Sequence, residues 1–188
     1  MTKNELRTQY KSLRRTLSAE SVASGSLQIA NRVLALPVWE ARCFHVFMPI
    51  AAQHEVDTEV LLNILLGRDK TVVVSRTIFS ERRMEHFVMD ESTTFIVNKY
   101  GIPEPANGIP VSAKEIDVVF VPLLAFDLAG HRVGYGKGVY DEFLRTCRPD
   151  VCKIGLSFFE AVAAIDDVWE GDEPLDYCVT PEKTYRFN

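Results

Sequence analysis

Three observations predict an α/β domain in three layers, with a mainly parallel central sheet and an amino-terminal helical hairpin. Leu6, Tyr10, Leu13 and Leu17 recur at helical spacing in the opening segment. From Cys43 onward, short apolar runs alternate with helical patterns. The run Asp117-Val118-Val119-Phe120-Val121 is apolar almost throughout, as expected of a strand whose sheet is covered on both faces.

On the first helix Lys3, Arg7, Lys11 and Arg14 form a second stripe about 90° from the apolar one, so one face packs and its neighbour is basic. Ser18 can cap a second helix, where Val22, Ile29, Val33 and Leu36 make an apolar face that ends before Pro37. A strand over 43–48, a helix over 58–66 closed by Gly67, and strands over 71–75 and 86–89 follow. Ser112-Ala113-Lys114-Glu115 has capping-box spacing before the candidate central strand, 117–121. After it come a glycine-rich loop, a helix with Tyr140, Phe143, Leu144 and Cys147 on one face, a strand over 152–157 and a short helix around 160–164. No long linker or repeat interrupts this order, so residues 1–188 read as one domain.

Composition narrows the function classes. A chain of 188 residues with 47% hydrophobic and 25% charged residues has a globular make-up, which excludes collagenous, disordered and disulfide-framework proteins. The longest apolar run, Val118 to Phe126, contains Pro122 and is about half of a bilayer span. No membrane contact is therefore expected, and without a signal-peptide core the expected address is cytoplasmic. Cys43, Cys147, Cys152 and Cys178 lack a Cys-x-x-Cys pair and read as reduced core cysteines. The net charge is −5, yet the first 16 residues carry +4 while Glu160, Asp166, Asp167, Glu170, Asp172, Glu173 and Asp176 crowd the carboxyl end. This balance disfavours a nucleic-acid partner; taken alone such charge runs read as solvated surface, and together the two ends could bracket one anionic, metal-carrying ligand. The absence of a heptad seam makes a monomer the default.

The chemistry concentrates in Arg132-Val133-Gly134-Tyr135-Gly136-Lys137-Gly138-Val139-Tyr140-Asp141, between a buried strand and a helix. Glycines at alternate positions permit positive φ and close backbone approach, so successive amides can converge on phosphate oxygens at a helix start. Arg132 and Lys137 add cations, Tyr140 a phenol, and Asp141 a first-turn carboxylate able to hold Mg²⁺. The spacing matches neither a Walker A loop nor a dinucleotide fingerprint.

This loop, preceded by Val121-Pro122 and Ala125-Phe126-Asp127, resembles the signature of the 5-formyltetrahydrofolate cyclo-ligase family. Lys3-x-x-x-Arg7, Glu55-Val56-Asp57-Thr58 and Gly101-Ile102-Pro103-Glu104-Pro105 extend the likeness almost end to end. Tyr135 and Val139 stand where the family more often has Arg and Tyr.

The resemblance implies a single Rossmann-like domain and ATP- and Mg²⁺-dependent closure of 5-formyltetrahydrofolate to 5,10-methenyltetrahydrofolate, through a phosphorylated formyl group. It implies that Lys3, Arg7, Arg132, Gly134, Tyr135, Gly136, Lys137, Gly138, Val139, Tyr140 and Asp141 hold ATP, with Lys137 and Arg132 catalytic. Asp141 and Asp172 are the expected metal carboxylates. Glu55 is the expected pterin anchor, with Met48 and Tyr140 beside the folate ring, and Arg76 is a candidate for the glutamate tail. The competing readings are a sugar-phosphate isomerase or acyl-transfer protein of similar architecture, and a non-catalytic nucleotide- or folate-binding paralogue.

Overall fold

The computed structural model describes residues 1–187. Helices α1 (Lys3–Arg15) and α2 (Ala19–Val33) open the chain, each started by a side-chain cap from Thr2 or Ser18. They are followed by β1 (Cys43–His45), α3 (Glu59–Gly67), β2 (Thr71–Ile78) and β3 (Arg83–Val88). Short strands β4 (Phe95–Val97), β5 (Pro103–Pro105) and β6 (Ile109–Val111) lead into β7 (Val118–Pro122). The chain ends with β8 (Ala125–Phe126), β9 (Arg132–Val133), α4 (Val139–Thr146), β10 (Cys152–Leu156), β11 (Tyr177–Val179) and β12 (Thr184–Arg186).

Eight strands form one sheet in the order β12-β11-β10-β7-β1-β2-β3-β6. The five from β11 to β2 run parallel, while β12, β3 and β6 pair antiparallel. The expected central strand lies in the middle, with Val118 opposite both Phe44 and Cys152. Its alternate residues explain the three layers. Val118 and Phe120 face a core made with Ile29 and Val33 of α2 and Leu61 and Leu65 of α3. Val119 and Val121 face the opposite core, made with Phe143 and Leu144 of α4.

The two opening helices part after the Thr16–Leu17 turn. Whereas α2 lies on the sheet, α1 seats Leu6 and Tyr10 in a separate cluster with Leu124, Ala125, Val133 and Ile165, around the β8–β9 hairpin. Two expectations for α1 need correction. Leu13 is exposed, and Arg14, assigned to the solvated basic stripe, is 3% exposed. Leu6, Tyr10 and Arg14 lie four residues apart, which puts Arg14 on the packed face.

The helix expected around 160–164 does not form. Val162 instead makes a parallel bridge with Asp127, donating its amide to the Phe126 carbonyl at 2.9 Å. The buried Asp127 carboxylate takes the amide of Ile165 at 3.1 Å, so donors a helix would use internally are drawn into the β8–β9 turn. The other strands run one to three residues from their expected bounds, and β2 continues to Ile78 because it pairs with β3 beyond the core.

Candidate active site

Strands β2 and β7 flank β1 on opposite sides although β1 leads directly to β2 in the chain, so the order of the parallel strands reverses at β1. Open α/β sheets leave a crevice at the carboxyl ends of strands where this happens. A cleft of about 570 Å³ occupies that place, with His45 and Pro122 from the ends of β1 and β7 and Ser75 from within β2 among its lining residues.

One end of the cleft is built for anions. The loop between β9 and α4 is left-handed at Gly136 (φ 88°) and Gly138 (φ 69°), where glycine avoids a Cβ clash. Gly134 departs from the expected pattern: its φ is not positive, and its carbonyl accepts the Arg7 Nε–H at 3.0 Å. The Arg7 guanidinium lies so near Gly136 that an added Cβ would stand 3.1 Å from its Nε. None of the amides from Gly134 to Gly138 donates a hydrogen bond among the described residues, which leaves a row of donors beside the first turn of α4.

The cations around this loop differ in freedom. Lys137 is exposed and makes no ion pair among the described residues. Arg132 is 8% exposed; it bonds Asp141 Oδ1 at 2.6 Å and the Glu173 carbonyl, so it fixes Asp141 as well as lining the cleft. Lys3 bonds Asp172, while the Met1 amino group meets Asp166 at 2.7 Å and the Lys3 amide meets Asp167 at 2.6 Å. The basic start and acidic end of the chain are thus joined to each other directly.

The two expected metal carboxylates each retain an oxygen. Asp141 takes both Arg132 and the Glu173 amide on Oδ1, and Asp172 takes both Lys3 and the Trp169 amide on Oδ2. Asp141 Oδ2 and Asp172 Oδ1 accept nothing among the described residues. Burial works against ionisation of Asp172, but Lys3, the Trp169 amide and Arg132 outweigh it and hold the carboxyl below its ordinary range. There is no cluster of three or more His, Cys, Asp or Glu ligands among the described residues. One or two carboxylates completed by water and phosphate oxygens are the usual protein contribution to Mg²⁺, so these residues fit that ion.

The other end is largely apolar, with Phe47, Met48, Ile50, Phe79 and Ile102 in its walls. Glu55, 5% exposed, closes it. Its carboxylate accepts the Ile50 amide at 2.7 Å and the Tyr135 hydroxyl at 2.8 Å. Arg14 stands 3.9 Å from the same oxygen as Tyr135 and donates to the Tyr135 hydroxyl at 3.0 Å. Burial raises the Glu55 pKa, against the pull of Ile50, Arg14 and Tyr135. Tyr140 is also pushed up, chiefly by burial, and its hydroxyl has no partner among the described residues. Val139 is buried where α4 begins.

Several residues in or directly behind the cleft carry no signal that a single sequence exposes. Arg14 was one basic residue among five. His45 and Ser75 line the cleft, with His45 Nε2 2.8 Å from Ser75 Oγ, and behind them Ser75 Oγ lies 2.7 Å from His86 Nδ1. Burial drives the His45 pKa well down and that of His86 to about 4, so both rings are neutral near pH 7. At the anion end Trp169 lines the cleft at 66% exposure, its ring lying where a Cβ on Gly171 would be. Arg145 donates to the Gly171 carbonyl at 3.2 Å. The placement of Arg76 is corrected: Ser75 and Thr77 face the cleft, and alternation along β2 sends Arg76 away to Glu85 at 2.7 Å and to the Phe87 ring.

Comparison with known proteins bears on this arrangement. The model of the 5-formyltetrahydrofolate cyclo-ligase family matches residues 1–181. The chain belongs to that family. It is accordingly a ligase of the cyclo-ligase type. A probable 5-formyltetrahydrofolate cyclo-ligase of Schizosaccharomyces pombe is 29% identical over 98% of this chain and 97% of its own. The Escherichia coli K12 cyclo-ligase is 29% identical over 93% and 97%. Among solved structures, the 5,10-methenyltetrahydrofolate synthetase of Aquifex aeolicus superposes with a TM-score of 0.84 at 28% identity, covering 100% of this chain and 94% of that one.

Proposed function

We propose that this cyclo-ligase converts 5-formyltetrahydrofolate to 5,10-methenyltetrahydrofolate at the expense of ATP, with Mg²⁺, releasing ADP and phosphate. The observation that carries this reading is the joining, within one cleft, of a cationic loop with unpaired amides to an apolar chamber ended by a buried carboxylate. The first suits a polyphosphate and the second a flat heterocycle with paired N–H donors.

The obstacle to ring closure is the formyl oxygen, a poor leaving group. Transfer of the terminal phosphoryl group to that oxygen gives an iminium phosphate. Nitrogen 10 then attacks the formyl carbon and gives up its proton to the departing phosphate or to solvent, while the carbon–oxygen bond breaks and its electron pair leaves with phosphate. No protein nucleophile is required, so catalysis rests on positioning and charge neutralisation. Lys137 neutralises charge on the transferring group, and the Gly134–Gly138 amides cradle the phosphates with Arg7 and Lys3 beside them. Arg132 holds Asp141 in place, Glu55 fixes the pterin edge, and Met48 and Tyr140 border the ring. When bound, Mg²⁺ supplies further neutralisation of the phosphates from the free oxygens of Asp141 and Asp172.

The test is the absorbance of methenyl-folate on mixing enzyme, 5-formyltetrahydrofolate, ATP and MgCl₂, with omission of each. Ligand binding without that absorbance would sink the catalytic reading, and turnover without nucleotide would favour isomerase or acyl-transfer chemistry. Asp141→Asn should raise the magnesium concentration needed for half-maximal rate about tenfold while keeping the α4 fold, since Asn retains the shape and an oxygen for the Glu173 amide.

A further inference from the structure

Arg14 lies on the packed face of α1, and burying a guanidinium is costly unless a counter-charge stands near. Among the described residues Glu55 is its one carboxylate within 4 Å, at 3.9 Å, and Arg14 is the one cation at that range from Glu55. The distance is too long for a direct hydrogen bond, and the Tyr135 hydroxyl closes it. That oxygen accepts from Arg14 Nη1 at 3.0 Å and gives its single proton to Glu55 Oε1 at 2.8 Å. Arg14 Nη2 donates to the Leu123 carbonyl just after β7, which fixes the guanidinium in place.

Glu55 lines the cleft, whereas Arg14 stands behind its wall. Tyr135 occupies Oε1 and the Ile50 amide occupies Oε2. An ionised carboxyl has about two acceptor positions on each oxygen, so one remains on each, and the two match a pair of adjacent N–H donors. Protonation would turn one oxygen into a donor and set it against a donor of the ligand. The other titratable groups around Glu55 do not replace the guanidinium. Tyr135 and Tyr140 are phenols kept neutral chiefly by burial, and the Lys11 ammonium stands off at the Tyr135 ring, 5.5 Å from its centre.

We propose that Arg14 is a positioning residue for folate binding: through the Tyr135 hydroxyl it keeps the Glu55 carboxylate an anion with one free acceptor on each oxygen, without itself touching the ligand. The inference rests on the folate reading above, because it takes Glu55 as the pterin anchor. It makes α1 a contributor to both ends of the cleft, with Lys3 and Arg7 beside the phosphates and Arg14 behind the pterin.

The experiment measures dissociation constants for 5-formyltetrahydrofolate between pH 6 and 9 for wild type, Arg14→Met and Arg14→Lys. At pH 6.5 Arg14→Met should bind about tenfold more weakly than wild type, as expected when a carboxylate protonates about one pH unit earlier. The gap should close towards pH 9, where the carboxyl ionises without help, and Arg14→Lys should lie between the two. A role in packing alone weakens binding by the same factor at every pH, and that result, or an unchanged affinity, overturns the proposal. Chemical denaturation of Arg14→Met, Glu55→Gln and the double variant gives a second measurement that needs no ligand. Arg14→Met should lower the midpoint in the wild-type background and much less once Glu55 is Gln, whereas additive effects overturn the proposal. A wild type that binds no 5-formyltetrahydrofolate at any pH overturns the folate reading and this one with it, while tight binding with parallel pH profiles overturns this one alone.

Discussion

At the phosphate end of the cleft Lys137 stands exposed on a left-handed glycine loop, whereas at the folate end Glu55 is buried and held by groups from three different segments. The first end is local: ten consecutive residues, Arg132 to Asp141, supply most of it. The second is assembled from α1, the end of β1 and the segment after it, the interior of β2, and Tyr135 from the glycine loop. The phosphate end presents fixed charge to solvent, where a dense anion brings its own neutralisation. The folate end withholds water from its one carboxylate, so a few hydrogen bonds there count for more. Tyr135 belongs to both, since its backbone lies in the loop and its hydroxyl reaches Glu55.

The largest effect should come from Lys137→Ala. A loop cation contributes little to packing, so turnover should fall about 10²–10³-fold while the thermal midpoint stays put. Near-normal turnover at saturating ATP would break the comparison, since the phosphate end would then be scaffold rather than machinery.

The buried His45–Ser75–His86 row behind the cleft offers the next test. The folded-state pKa of His86 is about 4 against an ordinary 6.5, so its contribution to stability is full above pH 6.5 and is lost as pH falls towards 4. The loss attributable to this residue is about 3 kcal/mol at the acid end of that window, on the usual 1.36 kcal/mol per pH unit. Chemical denaturation of wild type and His86→Phe at several pH values measures it. If the two lose stability in parallel between pH 6.5 and 4, His86 is not the group responsible.

The smallest effect sharpens the link between the two ends. Tyr135→Phe removes one hydrogen bond from Glu55 and one acceptor from Arg14, worth about 1 kcal/mol, so folate affinity should fall several-fold. Its particular signature is a pH profile. With one stabilising donor gone, the Glu55 carboxylate should protonate at higher pH, and folate binding should weaken earlier on acidification than in wild type. An unshifted profile would make Tyr135 a packing residue only.

The same contrast explains what could be read from the sequence. The glycine loop, its cations and Asp141 were visible because backbone conformation and chemistry coincide within a short run. The central strand was visible because a strand covered on both faces has no polar alternation. Glu55 and Met48 came with the family resemblance, and the structure puts both in the cleft. Arg14, Ser75, His45 and His86 stayed hidden: each is an ordinary residue in a helical or strand pattern until pairing across the sheet brings them together. Strands β4, β5, β8, β9, β11 and β12 run only two or three residues each, too short to show a period. Arg76 misled because a strand end looks exposed on both faces, and only the pairing of β2 with β3 decides which face meets the cleft.

Helix α1 has a consequence for synthesis. Its apolar seat is made by Leu124, Ala125, Val133 and Ile165, and the partner of its first residue, Lys3, is Asp172. At ribosomal rates of about 5–20 residues per second, those partners emerge on the order of 10 s after α1 does. Until then Leu6 and Tyr10 have nothing native to pack on, and the helix that carries Lys3, Arg7 and Arg14 is made among the first elements and docks among the last. A nascent chain stalled before residue 165 should therefore hold most of its sheet, leave its first helix open to proteolysis, and bind neither substrate.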